Sequence, residues 1–209
     1  MNKKIILLMT LVMLLIPGCS LKMKKNDPIA PLEYYRFGDL DLRSIGRVVM
    51  FEMNNLSTNQ KLDKELTTAL SEEIRKKQIF GLDTLYPEDP EWKRLGISKD
   101  FDFSMKELSD IQKKLGVDAV MYGKIVHYRP YPRNSIALNL KMIDCATGEL
   151  LWAIDQVWDS TDTGIEQRAK AFFDSQMSSG YDPVDWKIVM LSPRIYNKFV
   201  TYEISQTLE

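Results

Sequence analysis

Strand-type and helix-type apolar patterns alternate along most of this chain, and their order constrains the fold more than any other feature. A β-branched apolar run at residues 47–53 precedes a segment, 61–77, in which leucine or isoleucine recurs every four residues. The first pattern is typical of a buried strand, and the second of an amphipathic helix packed on a sheet. We therefore expect an α/β fold with a mixed β-sheet flanked by helices.

The later segments extend this order. Further strands are predicted at residues 78–85, 117–128, 135–142 and 149–158, and further helices at 104–116, 165–178 and 193–208. The alternating strands 135–142 and 149–158 are joined by a tight turn at 146–148, which predicts antiparallel neighbours. Residues 86–103 are rich in proline, acidic and aromatic residues without a clear period, so we expect a long loop there.

Three local signals mark helix ends. Ser104 and Glu107 have capping-box spacing at the start of one helix, and Gly116 is a suitable left-handed terminator for it. Ser192 and Pro193 supply a predicted side-chain cap and a first-turn proline for the last helix.

The chain begins with Lys3 and Lys4, followed by an apolar run of twelve residues, 5–16, and then Pro17, Gly18 and Cys19. A charged start, a short apolar stretch and a small residue before a cut are typical of a secretory signal. The apolar run is too short for an ordinary membrane-spanning helix, which needs about 20 residues.

The segment Ile16-Pro17-Gly18-Cys19 resembles the lipobox of bacterial lipoproteins. The resemblance implies cleavage between Gly18 and Cys19, a diacylglyceryl thioether on Cys19 and acylation (palmitate) of its new amino group. Two acyl-bearing groups on one cysteine give stable membrane attachment. By analogy with lipoprotein sorting, Ser20 favours the outer membrane. An ordinary signal peptide with a chance cysteine, or an uncleaved anchor, remains an alternative.

Removal of residues 1–18 takes away two lysines and no acid, which leaves 26 basic and 29 acidic residues and a net charge of −3. Nucleic-acid binding needs a concentrated basic surface, so no nucleic-acid partner is expected. We assign residues 19–44 to the lipid anchor and tether and residues 45–209 to one domain. Tyr34, Tyr35 and Phe37 are unusually apolar for a tether and are candidates for docking onto the domain.

Cysteine and histidine are scarce. With Cys19 lipidated, Cys145 is the remaining thiol, so no disulfide within the chain is expected, and His127 is the single histidine. We expect Cys145 to pack at the end of a strand, although an intermolecular or reactive thiol is an alternative. These residues cannot furnish a four-ligand Cys/His zinc site, and a catalytic Cys145–His127 dyad needs tertiary proximity. No catalytic residue, cofactor or metal is predicted.

Aromatic residues and methionine are enriched at the centres of protein interfaces. On that basis Trp92 and Phe101 in the 86–103 segment, and Trp186 and Met190 nearer the carboxyl end, are candidate partner contacts. The alternative for each is that it closes the core beneath a loop.

Three sequence blocks resemble the CsgG/LpoB/TolB amino-terminal superfamily of envelope proteins. They are VVMF at 48–51 followed by NNLS at 54–57, LGVDAVMYGKI at 115–125, and IDCATGELLW at 143–152. The resemblance implies a non-enzymatic domain that binds envelope proteins. We therefore expect a lipid-anchored, periplasm-facing accessory or assembly factor, with a homo-oligomer left open. The alternative is a subunit of an oligomeric outer-membrane secretion complex of the curli-export type.

Overall fold

One mixed β-sheet runs through the protein in a computed structural model that describes residues 31–59, 61–177 and 185–209. Its strands are β1 (Tyr35–Arg36), β2 (Arg47–Phe51), β3 (Asn54–Asn55), β4 (Gly81–Leu85), β5 (Ala119–Arg129), β6 (Ser135–Asp144) and β7 (Leu150–Asp159). Its helices are α1 (Leu62–Lys77), α2 (Pro90–Leu95), α3 (Met105–Leu115), α4 (Thr163–Gln176), α5 (Lys187–Leu191) and α6 (Pro193–Gln206). The expectation of a mixed sheet flanked by helices is confirmed.

The strands follow the order β1-β7-β6-β5-β2-β4, and β3 continues alongside β5 beyond the end of β2. β2 is parallel to both β4 and β5, whereas β5, β6 and β7 form an antiparallel meander. The antiparallel pairing predicted from the alternating patterns is therefore confirmed.

Strand β2 separates two apolar cores because its side chains alternate between the faces of the sheet. Val48 and Met50 enter the larger core, which includes residues of α1, α4 and α6. Val49 and Phe51 enter a smaller core with residues of α2 and α3. Helices thus cover both faces of the sheet at β2.

The predicted ends of α3 are confirmed in detail. The Ser104 hydroxyl oxygen accepts a hydrogen bond from the Glu107 amide, and the Glu107 carboxylate accepts one from the Ser104 amide at 2.8 Å. Gly116 ends the helix at φ 65°, a conformation that glycine adopts without steric cost.

The start of α6 differs from the prediction in one respect. Pro193 occupies the first turn as expected, but the Ser192 side chain forms no capping hydrogen bond. Ser192 is shared between two helices through its backbone. Its amide donates to the Ile188 carbonyl of α5, and its carbonyl accepts from the Tyr196 amide in α6.

The segment 86–103, expected to be a loop, contains the short helix α2. Pro90 lies in the first turn of this helix, and Gly96 ends it at φ 68°. Trp92 on α2 donates from its indole nitrogen to the Ile97 carbonyl at 3.1 Å, which closes the following turn. Six residues are too few to display a helical period, so only the end signals were available in the sequence.

Residues 31–44, assigned to the tether in the sequence analysis, contribute to the sheet and core. Strand β1 pairs antiparallel with β7, placing Tyr35 opposite Ala153. Arg36 donates to the backbone carbonyl of Thr207 at 2.8 Å and to that of Glu209 at 2.6 Å. Leu42 is fully buried in the larger core. The amino-terminal strand is thereby fastened to the carboxyl end of the chain.

Candidate functional site

The predicted cleavage and lipidation residues, Gly18 and Cys19, lie outside the described residues. Their roles remain predictions from the sequence. Within residues 31–59, 61–177 and 185–209, no helix combines the length and apolar character needed to cross a bilayer.

Trp92 and Phe101 belong to the smaller core and do not form an exposed contact surface. Their exposed fractions are 6% and 5%. The Phe51 ring meets Trp92 edge-on at 5.3 Å between centroids and stacks on Phe101 at 6.2 Å. This corrects the expectation of partner contact, because buried rings cannot touch a partner in this conformation. This burial was not predictable because α2, which packs against β2, is too short to show a helical period.

Trp186 and Met190 lie at α5 and are half-buried against the larger core. The Asn134 side-chain amide donates to the Met190 carbonyl at 2.7 Å, which ties α5 to the start of β6. On the same helix Leu191, which the sequence analysis did not select, is 70% exposed. Any contact made by α5 would therefore be centred on Leu191, with Trp186 and Met190 at its margin.

Cys145 and His127 lie too far apart to form a dyad. Cys145 follows the end of β6, where Asp144 pairs with Ala119, while His127 lies eight residues further along β5. At about 3.3 Å per strand residue, this separation is roughly 26 Å. Burial raises the pKa of the Cys145 thiol to about 12, so it stays protonated at neutral pH. The described residues also contain no group of three or more His, Cys, Asp or Glu side chains arranged to hold a metal ion.

The strands β5, β6 and β7 leave part of one sheet face uncovered, on the side opposite the larger core. We call this the open face. Cross-strand register forms two rows across β5, β6 and β7. One row is Lys124, Asn139 and Asp155, and the other is His127, Ala137 and Val157. The Asn139 amide donates to the Asp155 carboxylate at 3.0 Å. The open face thus carries one polar row and one row that ends in an exposed valine.

Exposed apolar side chains occur on β7 and around the junction of β3 and β5. Leu56, Val126 and Val157 are 58%, 50% and 54% exposed. Val126 occupies a β-bulge between Ile125 and His127, and the Leu56 amide donates to the Ile125 carbonyl, so Leu56 lies next to the bulge. A bulge places an additional side chain on a sheet face. Sequence reasoning missed these residues because β3 has only two residues and the bulge leaves no local signal.

A charged cluster lies beyond the carboxyl end of β2. Glu52 is buried, and its carboxylate accepts a hydrogen bond from the Lys99 ammonium at 2.9 Å. Lys99 also lies 3.5 Å from the Asp63 carboxylate at the start of α1. Burial raises the pKa of Glu52, although its bond to Lys99 opposes the rise. The pair connects β2 to the loop that follows α2.

This cluster borders a groove of about 1080 Å³ between α1 and α6. We call it the α1–α6 groove. Its lining includes Thr68, Ala69 and Glu72 of α1 and Arg194, Asn197 and Lys198 of α6. Its volume is at the upper end of the usual range for ligand pockets, about 300–1,000 Å³. Most of its lining residues are charged or polar by type.

No protein-family model and no curated protein matches the chain. Solved structures with a similar fold include the lipoprotein GNA1162 from Neisseria meningitidis, at 13% identity and TM-score 0.47, covering 65% of this chain and 98% of that chain. The PelC dodecamer from Paraburkholderia phytofirmans has 12% identity and TM-score 0.43, covering 61% and 79%. The LpoB C-terminal domain from Escherichia coli has 16% identity and TM-score 0.39, covering 58% and 87%. Similarity at this level supports no conclusion about function, partner or oligomeric state, and the CsgG/TolB resemblance remains a prediction.

Proposed function

We propose that this protein is a lipid-anchored accessory or assembly factor of the bacterial cell envelope that faces the periplasm. In this proposal it acts by binding another envelope protein and not by catalysis. The observation that carries the anchoring is the lipobox-like segment ending at Cys19, directly after a twelve-residue apolar run. The outer-membrane location of the protein is proposed from Ser20, by analogy with lipoprotein sorting.

The open face supports the binding part of this proposal. Isolated exposed apolar residues are ordinary, but Val126 and Val157 project from the same sheet, and Leu56 lies next to the bulge at Val126. The adjacent polar row contains Lys124 and Asp155. An apolar centre with charged neighbours matches the composition of protein interfaces. The fitting partner is a protein surface with an apolar patch next to one basic and one acidic group.

Lipidation is tested by metabolic labelling with palmitate. Cys19→Ala is expected to abolish the label and release the protein from membranes. Cys145→Ala is the matched control, because it removes the other cysteine while leaving the proposed acceptor, and it should keep the label. Retention of the label in Cys19→Ala would contradict the anchoring.

Partner binding is tested by placing a photoreactive amino acid at Val157 in living cells. We expect one defined protein adduct, and its loss when Val126→Lys is added, because both side chains lie on the open face. The same photoreactive residue at Lys170, which is exposed on α4, is the matched control and should not give this adduct. An adduct that forms equally at both positions, or that survives Val126→Lys, would contradict binding at the open face.

A further inference from the structure

The α1–α6 groove brings together exposed charges of both signs. Glu65 and Glu72 lie on α1, and Arg194 and Lys198 lie on α6; all four are exposed at the groove. None of them forms an ion pair with another described residue. Because no ion pair between described residues joins α1 to α6 at these positions, both sets are available to a third group.

The other charges of the groove are already neutralised or lie at its end. Glu52 and Asp63 share Lys99, and Lys64 is paired with Glu88. Lys61 remains at the first turn of α1. The available groups are therefore two carboxylates on α1 and two cations on α6, with one further cation at the end. This mixed set fits poorly with nucleic acid or polyphosphate, which needs concentrated positive charge.

Between the charged walls the groove offers small and hydrogen-bonding side chains. Ala69 leaves room for a main chain to approach α1, and Tyr128 and Asn197 are half-buried polar groups. The side-chain oxygen of Asn197 has no hydrogen-bond partner among the described residues. Buried polar atoms are normally paired, so this oxygen is an acceptor that a donor on a ligand in the groove can use.

The direction of the two helices sets the length of the site. Lys77 and Glu209 pair at the carboxyl ends of α1 and α6, while the groove lies along residues 61–72 and 193–198, so the helices run in the same direction. The groove extends along about 11 residues of α1, or roughly 16 Å. An extended peptide of about five residues has this length.

From these features we infer that the α1–α6 groove binds a short extended peptide that carries both a carboxylate and an ammonium group. The ligand's carboxylate faces Arg194 and Lys198 on α6, and its ammonium group faces Glu65 and Glu72 on α1. In an extended peptide, adjacent side chains point to opposite sides, so neighbouring acidic and basic residues meet opposite walls. This inference concerns a different surface from the open face and does not depend on lipidation.

The test uses the full chain purified in detergent and synthetic peptides with acetylated amino ends and amidated carboxyl ends, beginning with Ala-Glu-Lys-Ala-Ala, titrated by isothermal calorimetry. We expect saturable binding that weakens with added salt. The variant Arg194→Gln/Lys198→Gln should bind this peptide about tenfold more weakly, which corresponds to about 1.4 kcal/mol. The exposed pair Lys114→Gln/Lys141→Gln removes the same charge outside the groove and should leave binding unchanged.

A second peptide identifies which wall of the groove contacts the ligand's carboxylate and which contacts its ammonium group. Ala-Gln-Lys-Ala-Ala lacks the side-chain carboxylate, so it should bind the wild type more weakly and lose little further affinity in Arg194→Gln/Lys198→Gln. The reciprocal pairing, Ala-Glu-Gln-Ala-Ala with Glu65→Gln/Glu72→Gln, should behave in the same way. Hydrogen exchange should slow in residues 61–72 and 193–198 on binding. Absence of saturable binding, equal loss in the Lys114/Lys141 control, or additive losses in both pairings would overturn the inference.

Discussion

The buried carboxylate of Glu203 offers the sharpest test of how the last helix is held. Its two oxygens serve different donors: Oε2 accepts from the Trp158 indole nitrogen at 2.8 Å, and Oε1 accepts from the Arg168 guanidinium at 2.7 Å. Through these bonds α6 is joined to β7 and α4. We predict that Glu203→Ala strongly destabilises the fold.

The magnitude follows from what the substitution leaves behind. Trp158 is fully buried, and a buried donor without a partner costs about 1–3 kcal/mol. The side chains of Arg168 and Glu203 are only 14% and 10% exposed, and breaking such a buried pair costs about 3–5 kcal/mol. These effects overlap, so we expect Glu203→Ala to lower the free energy of unfolding by about 3–5 kcal/mol. Glu203→Gln retains one acceptor oxygen and should cost about half as much.

The assay is urea denaturation monitored by tryptophan fluorescence. Trp158→Phe leaves one oxygen of the buried Glu203 carboxylate without its donor and should cost about 1–3 kcal/mol. In the double variant Trp158→Phe/Glu203→Ala the losses should be less than additive, because they share one hydrogen bond. Glu72→Ala removes an exposed acid that forms no ion pair with any other described residue and is the matched control, expected within about 0.5 kcal/mol of the wild type. A loss below about 1 kcal/mol for Glu203→Ala, or strict additivity with Trp158→Phe, would refute this reasoning.

Four further outcomes are expected. Burial is the main cause that raises the pKa of Glu203, so the folded state binds this proton more tightly than the unfolded state. The stability of the wild type relative to Glu203→Gln should therefore fall as the pH rises above about 4.3, the pKa in the unfolded state, and level off above the folded pKa. Urea titrations at several pH values would show this dependence. Arg75 donates to the Leu82 carbonyl at 3.2 Å on the outer strand β4, so Arg75→Ala should uncover that edge and increase aggregation measured by light scattering, unlike Lys76→Ala. Gly123 faces the Asn139 carbonyl and the Leu140 side chain, so Gly123→Ala should lower the melting temperature by an amount equivalent to about 1–3 kcal/mol; an unchanged value would contradict this close approach. Cys145 should react with a thiol reagent only after unfolding, and rapid labelling of the native protein would contradict its burial.

Elements with local end signals were predictable from the sequence. Helix α3 has its capping box at Ser104 and Glu107 and its terminator at Gly116, all within thirteen residues, and each behaves as expected. The antiparallel pairing of β6 and β7 follows in the same way from alternation on both sides of one turn. These features depend on interactions between near neighbours, which sequence patterns record directly.

Features that depend on distant contacts were not predictable. Strand β1 has only two residues and exists because β7, more than a hundred residues later, supplies its hydrogen bonds. The burial of Trp92 depends on β2, because Phe51 meets its ring across the smaller core. The charged walls of the α1–α6 groove come from helices separated by more than a hundred residues. Composition identifies such residues as aromatic or charged but does not say which partner they meet.

The bonds from Arg36 to the carbonyls of Thr207 and Glu209 have a mechanical consequence. Tension applied through the amino-terminal segment reaches β1 first, and Arg36 passes part of that load directly to the end of α6. Because α6 forms one wall of the groove, a load on β1 and a contact in the groove both act on α6. A load on β1 would therefore reach the helix that lines the groove without passing through the central strands.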